Sequence, residues 1–180
     1  MSYSRSSARS LRATGPEWRT AAAWLLAALV VQGTLMHFAA VRGVEPSLVF
    51  VAVVWFAMRT GIGRAMLYGF FAGLGEDMLA FDAGGAWTIA TMVAAMLASL
   101  PTRRFFEDSM PFFMIVTGLG TLVRALIFWS VKKIEGFPAG LGAMHFHEAL
   151  IQAALNAALA AVVMFLARRF ERRAIARRRR

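Results

Sequence analysis

The stretch Tyr68-Gly69-Phe70-Phe71-Ala72-Gly73-Leu74-Gly75-Glu76-Asp77-Met78-Leu79-Ala80-Phe81-Asp82-Ala83-Gly84-Gly85 sets two adjacent carboxylates at the end of an apolar run. The same run carries a Gly-x-x-x-Gly pair at Gly69 and Gly73. Small residues four apart let a second helix come close, and carboxylates within hydrocarbon are costly enough to mark a site. At about 100° per residue, Gly69, Gly73, Glu76, Asp77 and Ala80 fall in one sector, whereas Phe71, Leu74 and Met78 point the other way. The acids therefore belong to the close-packing face and not to the lipid face.

Working outward, the 180-residue chain is 59% hydrophobic with a mean hydropathy of +0.59. A soluble domain averages roughly 45–50% apolar, so long apolar runs at this level indicate a membrane protein. The formal charge of +10 sits in tails and short loops between apolar runs. That distribution sets membrane topology and argues against nucleic acid as a partner. With no cysteine there is no disulfide framework, thiolate metal site or lipidated Cys. No loop is long enough to hold an extracytoplasmic enzyme domain.

Six helices are expected. Residues 1–18 form a basic, disordered cytosolic tail, and 19–168 a six-helix transmembrane domain. Residues 169–180 form an Arg-rich cytosolic tail. The first helix runs Thr20–Val41 with Trp18 and Trp24 near the interface. The second runs Ser47–Met58 with Pro46 in its first turn; extension to Val44 and Ile62 makes it a thin span. The third runs Arg64–Phe81, the fourth Ala86–Leu100 with a stop at Pro101, the fifth Pro111–Val131 and the sixth Glu148–Ala167. Lys132–Phe146 is the longest loop. With all six helices spanning and both termini cytosolic, sixteen of the twenty Lys and Arg residues lie inside, as the positive-inside rule requires.

Depth then becomes informative. At about 1.5 Å per residue, Asp77 and Arg124 lie roughly 7 and 10 Å below the outer ends of their helices. Gln152 and Asn156 lie roughly 6 and 12 Å down the sixth helix, and His37 and Gln32 roughly 6 and 14 Å down the first. Glu76 completes this polar layer. Arg124 is the only basic residue at matching depth, so it should pair with Asp77 or Glu76. The layer serves either to hold helices together or to form a shallow outward-facing pocket or partner contact.

Other residues attract attention for their chemistry. His145, His147 and Glu148 resemble part of a metal cluster, but two His and one carboxylate make a weak site, and interfacial loop residues are the better reading. The small residues Ala153, Ala154, Ala157, Ala158 and Ala161 offer a packing face, as do Ala23 and Ala27. Gly69, Gly73, Ala153, Ala157 and Ala161 are thus candidates for internal packing or a partner face. Arg168, Arg169, Arg172 and Arg173 suit anionic lipids or an acidic cytosolic partner. No Gly-x-Ser-x-Gly and no phosphate loop is present, and Ser99 and Ser130 have no His at their depth. No catalytic residue, cofactor or metal is expected.

Pro46 opening a short apolar helix, a basic turn, then Gly69-Phe70-x-x-Gly73-Leu74-x-x-Asp77, Gly84-Gly85 and a helix followed by two Arg together resemble the rod shape-determining protein MreD family. The resemblance covers about residues 44–131, and the ends by helix count. Two positions depart from it: Ser47, where the family often has an acid or amide, and Arg124, where an apolar or acidic residue is expected. The resemblance implies a non-enzymatic, multi-pass component of the bacterial inner membrane that scaffolds lateral peptidoglycan synthesis during elongation. It also implies MreC, the actin-like MreB filament, a RodA-type glycosyltransferase and its penicillin-binding transpeptidase as partners. The family is similar in architecture to the substrate-binding subunits of energy-coupling-factor transporters, which makes a vitamin-binding subunit the alternative. Ala23 and Ala27 are compatible with docking a transporter helix. The outer ends, however, lack the aromatic and polar lining that a vitamin pocket wants.

Overall fold

The computed structural model describes residues 17–81, 84–100 and 109–178, with side chains from 170 onward outside that description. The fold is all-helical: α1 (Trp18–Thr34), α2 (Leu48–Ala57), α3 (Ile62–Leu79), α4 (Ala86–Ser99), α5 (Met110–Ile134) and α6 (Gly142–Arg178). Short 3₁₀ turns occupy Met36–Ala39 and Ala139–Leu141. Two segments, α5 and the Gly142–Arg169 part of α6, are long and apolar enough to cross a membrane, while α2 and α4 are apolar but short. The expected tail through residue 16, the Asp82-Ala83 turn, and the stop at Pro101 with the charged turn after it lie outside the described residues.

The first helix is shorter than the apolar run suggests. It ends at Thr34 rather than Val41, with Gln32 in its last turn tied to the backbone of Pro46 and Leu48. The chain then turns through the 3₁₀ segment and returns toward α2. Ser47, and not Pro46, starts α2: its hydroxyl accepts the Phe50 N–H at 3.0 Å, so it is the N-cap and Pro46 precedes it. The helix has 10 residues, rising about 15 Å against a hydrocarbon core of about 30 Å. The extension to 44–62 does not form. Val49, Phe50, Val51, Val53, Val54, Phe56 and Ala57 are all buried, and a helix apolar on every side belongs at the centre of a bundle.

Around it, α3 and α4 make the closest approach. A Cβ at Gly69 would stand 2.7 Å from the Ala95 Cβ, and one at Gly73 2.6 Å from the Thr88 Cα and the Trp87 carbonyl. Phe71, Leu74 and Met78 face outward. The Gly69/Gly73 face is thus occupied by α4 and is not open to a partner. Next to Gly69, Tyr68 stacks on Phe56 with centroids 4.2 Å apart and donates to the Ala21 carbonyl at 3.1 Å. This fixes α1 through Ala21, Leu25 and Ala28. Ala23 and Ala27 lie on the exposed side of α1, so they do not form the internal contact expected of them.

The loop expected over Lys132–Phe146 is largely helix. α5 continues to Ile134, where Gly136, at φ +91°, takes the left-handed conformation that ends helices. α6 begins at Gly142, where a Cβ would stand 3.2 Å from the Trp129 ring. The buried stripe of α6 is also rotated from the one expected. It runs through Ala149, Ala153, Asn156, Ala160 and Met164, while Ala154 and Ala158 are exposed and Ala157 and Ala161 half-buried. The helix then continues to Arg178, well past the Ala167 end read from the sequence.

Candidate functional site

The polar layer assembles at the end of the bundle where α2 and α4 begin and α3 ends. Its base is the non-helical segment Glu45–Ser47 with the first residue of α2, Leu48, whose backbone groups lie among apolar helices and need partners. Three amide side chains supply them. Gln152 Nε2 donates to the Glu45 carbonyl at 3.1 Å. Gln32 Nε2 donates to the Pro46 carbonyl at 3.1 Å and its Oε1 accepts the Leu48 N–H at 2.8 Å. Asn156 Oδ1 accepts the Ser47 N–H at 2.7 Å, while its Nδ2 donates to Thr121 Oγ1 at 3.0 Å. Asn156 is fully buried, so these bonds set the rotation of α6.

On this clamp sits an ion pair. Arg124 Nη2 meets Glu76 Oε1 at 2.8 Å, with side-chain exposures of 3% and 10%. The Ser47 hydroxyl donates to Glu76 Oε1 at 3.0 Å and accepts from Arg124 Nη1 at 3.4 Å, and Thr91 Oγ1 donates to Glu76 Oε2 at 3.2 Å. The guanidinium lies between two rings, 4.9 Å from the Phe50 centroid and 4.3 Å from that of Trp87, where cation–π attraction adds to the pairing. Its Nε is buried without a hydrogen-bond partner.

Asp77 does not join this pair. Its Oδ1 accepts the Trp87 N–H at 3.0 Å, and its Oδ2 accepts the Thr88 N–H at 2.9 Å and the Thr88 hydroxyl at 2.6 Å. Gly85, the N-cap of α4, has no capping side chain, so Asp77 caps that helix from its neighbour and meets the positive end of its dipole. Each acid has its own partner set: of the two pairings expected for Arg124, the one with Glu76 forms and the one with Asp77 does not.

His37 stands apart from the layer. Its exposed ring bonds Glu45 Oε1 at 2.9 Å from the 3₁₀ turn, a consequence of the early end of α1. His145 and His147 sit two residues apart on α6, so they diverge around the helix and do not face one way. No group of three or more metal-ligating side chains occurs among the described residues. Arg168 and Arg169 are exposed on α6; the side chains of Arg172 and Arg173 lie outside the described residues.

Residues that the sequence reading left out of the site are Ser47, Thr88, Thr91, Thr121 and Trp87. A signal existed for Ser47, since a Ser after Pro and before an apolar run is an N-cap pattern. Ser47→Ala removes that cap together with a bond to Glu76. We expect a loss of about 1–2 kcal/mol, read from unfolding midpoints in mixed micelles, with Ser47→Thr restoring most of it. The end formed by α5 and α6 also differs from expectation. A cleft of about 130 Å³ there is lined by Phe128, Trp129, Phe137, His145, Lys132 and Glu148, among others, so aromatic and polar side chains are present after all.

Among the described residues, each buried acid is held by side chains or backbone of neighbouring helices, so the arrangement binds helices to one another. Together with two helices long and apolar enough to cross a membrane, this is a small helical bundle consistent with a membrane protein, its buried charges paired within the bundle. A family model described as rod shape-determining protein MreD matches residues 16–173. The chain belongs to that family, whose members are membrane-associated structural components that determine rod shape. No curated protein and no solved structure matches it. The match extends beyond residues 44–131 toward both ends. Ser47 and Arg124, the two positions where the resemblance implies other residue types, touch each other.

Proposed function

We propose that this chain is a non-enzymatic, multi-pass component of the bacterial inner membrane that scaffolds lateral peptidoglycan synthesis during cell elongation. The family match over residues 16–173 carries the reading. The geometry agrees with it in kind, because the buried charges Arg124, Glu76 and Asp77 are spent on contacts between helices, which suits a docking body. In this reading both termini are cytosolic and the bundle lies across the membrane. MreC, a RodA-type glycosyltransferase and its penicillin-binding transpeptidase meet its helices. The MreB filament and anionic lipids meet the Arg-rich end of α6. The vitamin-binding alternative gains little support from the cleft, since about 130 Å³ falls below the roughly 300–1,000 Å³ of sites for drug-sized ligands.

Depletion of the protein in its own host, if rod-shaped, is the test. Cells should round up within a few generations, and the wild-type chain supplied from a plasmid should restore rods. Retention of rod shape after depletion, together with a vitamin and ATPase subunits co-purifying from native membrane, would overturn the reading.

A further inference from the structure

The three most exposed large apolar side chains among the described residues are Phe81 at 96%, Ile134 at 87% and Phe38 at 84%. None lies in the body of a helix: Phe38 is in the 3₁₀ turn after α1, Phe81 follows α3, and Ile134 is the last residue of α5. All three stand at the end of the bundle that carries the polar layer. There a Cβ at Gly33 of α1 would stand 3.3 Å from Leu79 of α3, and the Glu135 carboxylate lies against Gly84. Phe81 also has a φ of +52°, a left-handed conformation that bulky side chains rarely adopt. Strain of this kind persists where the outward position gains something in return. Burial of a phenyl ring offsets such a cost, and contact with water does not.

From this arrangement we infer that this end of the bundle is anchored in one lipid leaflet, with Phe38, Phe81 and Ile134 inserted at the boundary between headgroups and acyl chains. Helix lengths place the boundary there. α1 rises about 26 Å over its 17 residues and α3 about 27 Å over its 18. Against a hydrocarbon core of about 30 Å, Phe38 and Phe81, just past these helices, stand at its edge. α5, with 25 residues and a rise of about 37 Å, carries Ile134 to the headgroups. An exposed cation adjoins two of the three: Arg42 follows the turn that holds Phe38, and Lys133 precedes Ile134. An apolar side chain at the acyl edge beside a cation at the phosphates is how helix ends are held at a membrane surface. Asp82, which follows Phe81, lies outside the described residues. The three side chains come from separate segments and share their level at the end of the bundle, which a planar lipid boundary matches. The inference rests on the membrane placement proposed above, not on the cell-shape role, and adds the depth at which this end lies.

The chain has no cysteine, so a nitroxide on Phe38→Cys, Phe81→Cys or Ile134→Cys reports from one place only. All three positions are exposed, and the labels leave the packing alone. In vesicles of phosphatidylethanolamine and phosphatidylglycerol, collision of each label with oxygen and with a water-soluble nickel chelate gives its depth, calibrated by spin-labelled lipids. Each should lie within about 10 Å of the headgroup–acyl boundary. Leu119→Cys, exposed on the body of α5 and about 22 Å along it from Ile134, is the reference and should read near the bilayer midplane. Labels at 38, 81 and 134 as open to nickel as a free label in water, with Leu119 deep, would overturn the inference and leave membrane placement standing. Labels there that are immobilised and shielded from both reagents would also overturn it, by showing a second copy of the chain over this end. A reference at Leu119 open to nickel would overturn the membrane placement, and the inference with it. Rod shape after depletion bears on none of these outcomes.

Discussion

Arg124→Ala is expected to lower the stability of the bundle by about 3–5 kcal/mol, because it strands a buried carboxylate without its counter-charge. The loss exceeds that of an exposed ion pair, since Glu76 and Arg124 are almost fully enclosed. The Ser47 hydroxyl and Thr91 would be left holding an unpaired charge. Two comparisons make the prediction specific. A double-mutant cycle of Arg124→Ala with Glu76→Ala should show strong coupling, the double variant losing much less than the sum of the singles. The same cycle with Asp77→Ala should be close to additive, because Asp77 spends its bonds on the start of α4. Arg124→Lys should not rescue, since a lysine cannot span Glu76 and Ser47 or lie flat between Phe50 and Trp87. Equilibrium unfolding in mixed micelles reads all of these. Coupling to Asp77 instead of Glu76 would refute the assignment.

Gly73→Ala is expected to cost about 2–4 kcal/mol, although it adds one methyl group. Its Cβ would meet backbone atoms of α4 at 2.6 Å, and backbone cannot swing aside as a side chain can. The helices must part, which stretches the three bonds from Asp77 to the start of α4. Gly63→Ala on the same helix provides the control. Nothing lies within 4 Å of its Cβ, so Ala there should stabilise α3 by up to about 1 kcal/mol through helix propensity. Two identical substitutions on one helix should thus move the unfolding midpoint in opposite directions. Equal effects would show that close approach is not what Gly73 provides.

Periodicity and charge made the helices and the buried face of α3 legible, but several features depend on information that periodicity does not contain. Glu76 and Asp77 are only about 100° apart on a helix, so the sequence leaves open which of them meets Arg124. The position of the α4 N-terminus decides it by claiming Asp77. The end of α1 was hidden because the apolar run continues through it; the tie of Gln32 to the Pro46 and Leu48 backbone joins residues far apart in sequence, which periodicity does not record. On α6, alanines recur so densely that several rotations place small residues inward. Asn156, by reaching both Ser47 and Thr121, selects one. The Gly-rich, charged composition of 132–146 concealed helix because Gly136 and Gly142 serve there as a terminator and as room for Trp129, and not as a flexible chain.

The amide clamp around Asn156 has a consequence for the far end of the same helix. From Asn156 to Arg178 the backbone is unbroken helix, a rod of about 33 Å that is stiff about its own axis. Fixing its azimuth at the clamp fixes the compass bearing of every turn beyond it. A substitution such as Asn156→Ala that lets α6 roll by one residue would re-aim the distal turns by about 100°. The chain could then stay folded and membrane-inserted while presenting the wrong side of that rod to whatever it meets.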